Sequence, residues 1–195
     1  MPSDPVILAF DTSAAHCAAA LLCGPKVLGT KAEEMGRGQA ERLIPLLQEL
    51  LDETGHVWAD LTAIGVGIGP GNFTGIRISV SAARGLALGL GIPAIGVSSF
   101  DAIRHNAPDV TPAIPGPRGK AYVLRPDPAL IDLDALDHIP HALPPAPADL
   151  ALAIAQVARH RLETQADLPP PAPLYVKPAD AAPARDAPPV ILDDA

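Results

Sequence analysis

Short apolar runs separated by polar turns open the chain. They predict three strands, at Val6–Phe10, Cys17–Leu22 and Val27–Ala32. The second and third are joined by the turn Cys23-Gly24-Pro25, and Asp11-Thr12-Ser13 follows the first. Short strands of this kind with tight connections predict an antiparallel meander.

The pattern then changes to a helical period. Leucine and isoleucine recur at i, i+3, i+4 and i+7 between Ala40 and Glu53, which predicts an amphipathic helix. Pro45 lies near its start on the polar side, where it disturbs the helix least. Gly55 is the expected end of the helix.

The next elements predict an α/β arrangement. Ala63–Ile68 is apolar without alternation, as in the buried middle of a sheet. A glycine-rich loop follows it, and then further elements in order: a helix at Ile76–Leu90, a strand at Ala94–Val97, and a helix at Phe100–Asn106 capped by Ser98 or Ser99.

Proline usage divides the chain near Pro108. Of the 24 prolines, 18 lie from Pro108 onward. We therefore expect two domains, residues 1–107 and residues 108–195. In the second, a strand is predicted at Ala121–Leu124, a helix at Leu150–Leu162, and a loop or linker at Pro169–Pro171.

Composition and charge restrict the classes of function. The chain has 48% hydrophobic residues, 3% aromatic residues and a net charge of −8. Because phosphate neutralisation supplies most nucleic-acid affinity, sparse and scattered Lys and Arg argue against nucleic-acid binding by this chain alone.

Cysteine spacing and hydropathy predict a cytoplasmic chain. Cys17 and Cys23 are six residues apart in one predicted strand, so about 20 Å separates their Cα atoms and both are expected to be reduced. No signal peptide is recognised. The most apolar run, Gly85–Val97, is shorter than the ~20 residues of a membrane helix.

Two motifs could contact a cofactor. The loop Gly69–Gly75 could bind phosphate through its backbone N–H groups, and Asp11-Thr12-Ser13 could orient Mg²⁺ or water. Weak candidate cofactor contacts are Asp11, Thr12, Gly71 and Thr74. The simpler interpretations are a tight turn and a polar turn. Walker A, Rossmann, nucleophile-elbow and zinc-protease motifs do not match, and we expect neither catalytic nor metal-binding residues.

The predicted helix at Ile76–Leu90 is apolar nearly all round, with only a narrow polar strip. Such a helix is buried on two sides. Its neighbour could be the first helix or a helix of another chain.

These motifs together resemble the TsaB (YeaZ) family. The most specific match is Gly-Pro-Gly-Asn-Phe-Thr-Gly-Ile-Arg at residues 69–77, where the family has Gly-Pro-Gly-Ser-Phe-Thr-Gly-Leu-Arg. The other matching segments are residues 7–13 ending in Asp-Thr-Ser, Glu-Arg-Leu-Ile-Pro-Leu at 41–46, Gly-Leu-Ala-Leu at 85–88, Gly-Val-Ser-Ser at 96–99, and Pro-Leu-Tyr-Val-Lys-Pro at 173–178.

The resemblance implies an actin/Hsp70-like (ASKHA) α/β fold, with a complete first lobe and a short, Pro-rich second lobe. It implies a subunit that is not catalytic alone. Its expected partners are TsaD, which carries the metal and transfers threonylcarbamoyl to N6 of adenosine 37 in tRNA, and the ATPase TsaE. ATP and metal are expected on the partners, and contact with tRNA only indirectly. The alternative is a stand-alone ASKHA ATPase or kinase, or a glycoprotease-like peptidase.

Two positions differ from the family pattern. The family has a His before its Glu-Arg-Leu helix, where this chain has Gly38-Gln39-Ala40. Pro115 replaces the Asp of a second motif. The missing acid argues further against independent nucleotide hydrolysis.

The two long helices are the predicted partner surface, forming a four-helix bundle with TsaD or, in isolation, with a second copy of this chain. The residues predicted for it are Leu43, Leu47, Leu50, Ile76, Ser79, Ala82, Ala83 and Leu86.

Overall fold

The three predicted strands form one side of a five-stranded mixed sheet. The computed structural model describes residues 4–176. The strands are β1 (Val6–Asp11), β2 (His16–Cys23), β3 (Lys26–Glu34), β4 (Ala63–Gly67) and β5 (Ala94–Val97), in the order β3-β2-β1-β4-β5. β1, β2 and β3 pair antiparallel, which confirms the meander, and β4 and β5 are parallel to β1.

Two helices cover one face of this sheet, α1 (Gln39–Thr54) and α2 (Phe73–Leu90). The leucines of α1 pack with Leu8, Phe10 and Val66 of the sheet. Gly55 adopts a left-handed conformation, with φ 71°, and ends α1 as predicted.

The opposite face is covered by a helix from the second half of the chain, α4 (Pro147–Thr164). Its alanines pack on the alanines of β1 and β2 in one core cluster. The approach is close, because a Cβ added at Gly65 would lie 3.0 Å from the Cβ of Ala158. The helix α4, which follows residue 108, therefore completes the core of the first sheet.

A second sheet of four strands follows α3 (Ser99–Asn106). Its strands are β6 (Thr111–Pro115), β7 (Lys120–Leu124), β8 (Pro128–Asp132) and β9 (His141–Ala142), in the order β8-β7-β6-β9. Short 3₁₀ helices lie at Trp58–Asp60 and Leu133–His138. Only β7 was predicted from the sequence. The predicted α/β fold is confirmed.

Beyond α4, the segment of residues 165–176 is irregular and lies beside β5 and α2. The Leu174 N–H donates to the carbonyl of Ile68 at 2.8 Å, and buried Pro171 packs on Gly96. Of the motif at 173–178, Lys177 and Pro178 lie outside the described residues. Within residues 4–176, no helix has both the length and the apolarity that crossing a membrane requires.

Candidate functional site

The two candidate motifs meet at the carboxyl ends of the neighbouring parallel strands β1 and β4. The Asn72 N–H donates to the carbonyl of Ser13 at 2.6 Å. The Thr12 hydroxyl donates to the carbonyl of Gly75 at 2.6 Å. The fold thus joins the Asp-Thr-Ser turn directly to the loop at residues 69–75.

Glycine is required in this loop because two backbones pack against each other. A Cβ added at Gly75 would lie 1.9 Å from the Thr12 carbonyl oxygen, and one at Gly71 would lie 2.3 Å from that of Ser13. These distances account for both glycines by packing, which favours the interpretation of the loop as a tight structural turn.

Asn72 begins α2. Its side-chain oxygen accepts from the Gly75 N–H at 2.9 Å, and the helix starts at Phe73. The predicted start at Ile76 was therefore wrong by one turn, because an Asn in the N-cap position provides the acceptor that the first helical N–H groups need.

Asp11 lies at the centre of the site and is fully buried. Its Oδ2 accepts from the Ser13 N–H at 2.9 Å and the Ser13 hydroxyl at 2.8 Å, and Nε2 of His16 lies 2.8 Å away. His16 was missed by the sequence reasoning. The available signal was a histidine at the start of an otherwise apolar strand, five residues after an acidic turn.

The other candidate contacts differ in accessibility. Thr12 is buried and uses its hydroxyl in the loop junction, whereas Thr74 is exposed in the first turn of α2. Gly71 borders a cleft of about 700 Å³ between the loop and the second sheet. The structure therefore brings Asp11, Thr12 and Gly71 together, but only Gly71 of these three faces the cleft.

The cleft is apolar on most of its surface. Its lining includes six prolines: Pro70, Pro115, Pro117, Pro144, Pro145 and Pro147. Polar groups come from Ser13, His16, Asn72, Ser99 and Tyr122. Among the described residues, no Lys, Arg, Asp or Glu lines it, and no group of three His, Cys, Asp or Glu could hold a metal ion. These residues do not fit the metal–nucleotide complex that the ASKHA fold implies.

Aromatic contacts join the 165–176 segment to α2. The rings of Phe73 and Tyr175 stack with centroids 5.0 Å apart. The Arg77 guanidinium lies 4.0 Å over the Phe73 ring, and its Nε donates to the Tyr175 hydroxyl at 3.0 Å. The Pro-x-Tyr motif thus packs on the first turns of α2.

Six of the eight residues predicted for the partner surface are buried inside this chain: Leu43, Leu47, Leu50, Ile76, Ser79 and Ala83. They cannot themselves contact a partner in this fold, because the side of each helix that carries them covers the sheet. Ala82 and Leu86 are half-buried. On the outer sides, Ile44 is 43% exposed and Leu88 is 86% exposed.

An ion-pair network joins α1 to β3. The Arg42 guanidinium donates to Glu33 and Glu49 through two nitrogens each, and Lys31 contacts Glu49 and Glu53. Hydrogen bonds from Arg42 and Lys31 lower the pKa of Glu49 to about 2. Nearby, burial raises the pKa of the Cys17 thiol to about 11.

Comparison with known proteins gives the family. The family model "TsaD: tRNA N6-adenosine threonylcarbamoyltransferase" matches residues 25–173. The tRNA threonylcarbamoyladenosine biosynthesis protein TsaB of Escherichia coli K12 is 35% identical over 122 residues, covering 60% of this chain and 52% of that protein. The chain belongs to this family, as a TsaB (YeaZ) member.

Other proteins match over more of their length. An uncharacterized protein of Mycobacterium tuberculosis is 34% identical over 185 residues, covering 80% of this chain and 83% of that protein. YeaZ from Pseudomonas aeruginosa superimposes with a TM-score of 0.67 at 26% identity, covering 88% of this chain and 99% of that one. This TsaB-family chain nevertheless spans about half the length of the first curated relatives that it matches.

Proposed function

We propose that this chain is a non-catalytic partner subunit of the complex that forms N6-threonylcarbamoyladenosine at position 37 of tRNA. It binds TsaD as a heterodimer, acts with TsaE, and meets tRNA only through them in the cytoplasm. ATP and metal belong to the partner subunits. The names of the curated TsaB relatives support the pathway, and the net charge of −8 supports indirect contact with tRNA.

The observation that carries the non-catalytic role is the state of Asp11. A catalytic site needs a nucleophile, a base or a metal set converging on one accessible point. Here the central carboxylate is buried, and its Oδ2 is already in contact with Ser13 and His16. Pro115 lines the cleft where the family pattern has an acid.

The proposed partner surface consists of the outer sides of α1 and α2. It combines exposed Ile44 and Leu88 with the small residues Ala82, Gly85 and Gly89, which allow close helix approach. Among residues 4–176, nothing lies within 4 Å of a Cβ added at Gly85 or Gly89, so this side has space for a neighbouring helix.

Reconstitution tests the function. Purified TsaD and TsaE from the same organism, tRNA and the activated threonylcarbamoyl donor are combined with or without this chain. We expect modified adenosine only when the chain is present. Formation at an equal rate without it would contradict the proposal.

ATP turnover by the chain alone distinguishes the alternative enzyme function. We expect none above background. Turnover that is lost in Asp11→Ala would instead support a stand-alone ATPase or kinase.

A further inference from the structure

The Asp11 carboxylate is enclosed on the side of Oδ2. Three donors converge on that single oxygen, the Ser13 N–H and hydroxyl and the His16 ring nitrogen, all within 2.9 Å. The His16 tautomer with its proton on Nε2 is the one that makes this hydrogen bond, because a carboxylate oxygen is the acceptor.

The other oxygen, Oδ1, has no hydrogen-bond partner among the described residues, yet it has no room for an ion. It faces the backbone of Gly67 at the end of β4, where an added Cβ would lie only 1.9 Å away. Mg²⁺ holds its ligands at about 2.0–2.1 Å and usually keeps several waters. Oδ1 is sealed from solvent and the Gly67 backbone lies against it, so this oxygen has no open side for an ion that keeps its waters.

His16 separates this carboxylate from the cleft. Its side chain is 8% exposed and borders the cleft, whereas Asp11 is fully buried and does not. Ser13 also borders the cleft and contacts Oδ2, so a cation approaching Asp11 from the cleft would have to displace the imidazole or the Ser13 hydroxyl.

We propose that His16 is a built-in partner of Asp11 whose imidazole closes this carboxylate to divalent cations that enter the cleft. His16 is a positioning residue in this role, because it fixes the carboxylate that holds Ser13, whose carbonyl in turn accepts from Asn72 at the start of α2. The inference does not depend on TsaD binding.

Mn²⁺ alone is the probe, because it has the charge and oxygen preference of Mg²⁺ and is paramagnetic. The free Mn²⁺ signal in electron paramagnetic resonance measures binding to the wild type, His16→Ala, Asp11→Asn and the double variant. We expect the wild type to bind no more Mn²⁺ than Asp11→Asn. His16→Ala, with the imidazole removed, should bind one ion per chain at least about tenfold more tightly than the double variant.

Added imidazole provides a second readout in His16→Ala. It should refill the space that the side chain left and displace the bound Mn²⁺, while having no effect on the double variant. A folded His16→Ala protein that binds no more Mn²⁺ than the double variant would overturn the proposal.

If His16→Ala does not fold, the wild-type protein labelled with ¹⁵N-histidine can be tested by nuclear magnetic resonance instead. We expect the His16 Nε2–H resonance to persist without selective broadening as Mn²⁺ is added. Selective broadening of this resonance would show that Mn²⁺ binds at Asp11 in the native chain. It would contradict the proposal that His16 closes Asp11 to cations.

Discussion

Gly75 and Gly85 lie in the same helix under opposite constraints. A Cβ at Gly75 would meet the backbone oxygen of Thr12 at 1.9 Å, and backbone cannot move aside as the end of a flexible side chain can. A Cβ at Gly85 meets no atom within 4 Å in the described part of the chain. The identity of one glycine is therefore fixed by the site, and that of the other is free as far as this chain's own packing is concerned.

We expect Gly75→Ala to lower the free energy of unfolding by about 1–3 kcal/mol, because overpacking forces the Asp-Thr-Ser turn away from α2. The matched control Gly85→Ala should raise it by about 0.5–1 kcal/mol, since alanine is the better helix former. Urea denaturation of both variants measures the difference. Equal stability of the two would mean that the loop junction is not closely packed in solution.

The ion-pair network between β3 and α1 makes the attachment of that helix dependent on pH. Hydrogen bonds from Arg42, and secondarily from Lys31, hold the pKa of Glu49 at about 2, below its ordinary value of 4.5. The pKa of Glu49 is lower in the folded chain than in the unfolded chain. The stability that its ion pairs contribute is therefore fully present above pH 4.5 and is lost as the pH falls toward 2.

Arg42→Met should therefore lower the thermal midpoint at neutral pH, and its deficit relative to the wild type should shrink as the pH falls below 4.5. Arg104→Met is the control for net charge, because exposed Arg104 on α3 has no ion pair within residues 4–176. A deficit for Arg42→Met that stays constant down to pH 2 would show that the network does not titrate in this way.

The packing of the 165–176 segment on α2 can be tested at Tyr175. Tyr175→Phe keeps the ring that stacks on Phe73 and loses only the hydrogen bond from Arg77, whereas Tyr175→Ala loses both. An aromatic pair contributes about 0.5–1.5 kcal/mol. We expect Tyr175→Ala to unfold at a clearly lower urea concentration than Tyr175→Phe; coincident transitions would indicate that the stack contributes nothing.

The strands and α-helices up to residue 106 could be predicted because their periodicity and end signals agree. α1 has a leucine stripe and a terminal glycine, and β1 to β3 alternate with turn residues. β6 and β8 were missed because Pro112, Pro115 and Pro128 lie in them, and proline normally argues against a strand.

The candidate site was predicted only in part, because the sequence does not show which side chains the folded strands bring together. Its motifs are contiguous in sequence, but the position of His16 over Asp11 depends on how β2 turns back beside β1. Periodicity likewise shows that α2 is apolar on two sides, but not which side the sheet takes. Most of the residues predicted for the partner surface are therefore buried in the core.

At the scale of the whole molecule, the outer faces of α1 and α2 determine the expected assembly. In isolation we expect a symmetric homodimer through these faces, which TsaD replaces in the complex. Ala82→Glu and Leu88→Glu should each weaken TsaD binding by about 2 kcal/mol, roughly 30-fold, because a charge in the centre of such an interface loses its water.

Isothermal titration with TsaD and analytical ultracentrifugation measure both associations, after circular dichroism has confirmed the fold. Leu133→Glu is the control, since Leu133 is 44% exposed beside the second sheet, away from these helices. If folded Leu88→Glu binds TsaD as tightly as Leu133→Glu does, the partner surface lies elsewhere.

The position of α4 has a consequence for the synthesis of this protein on the ribosome. The strands β1 to β5 are complete at Val97, but the helix that covers their second face begins only at Pro147. At about 5–20 residues per second, the alanine-rich face stays uncovered for several seconds while the intervening residues are made. During that interval the nascent chain presents an apolar sheet surface, and chaperones that hold such surfaces would bind it before α4 does.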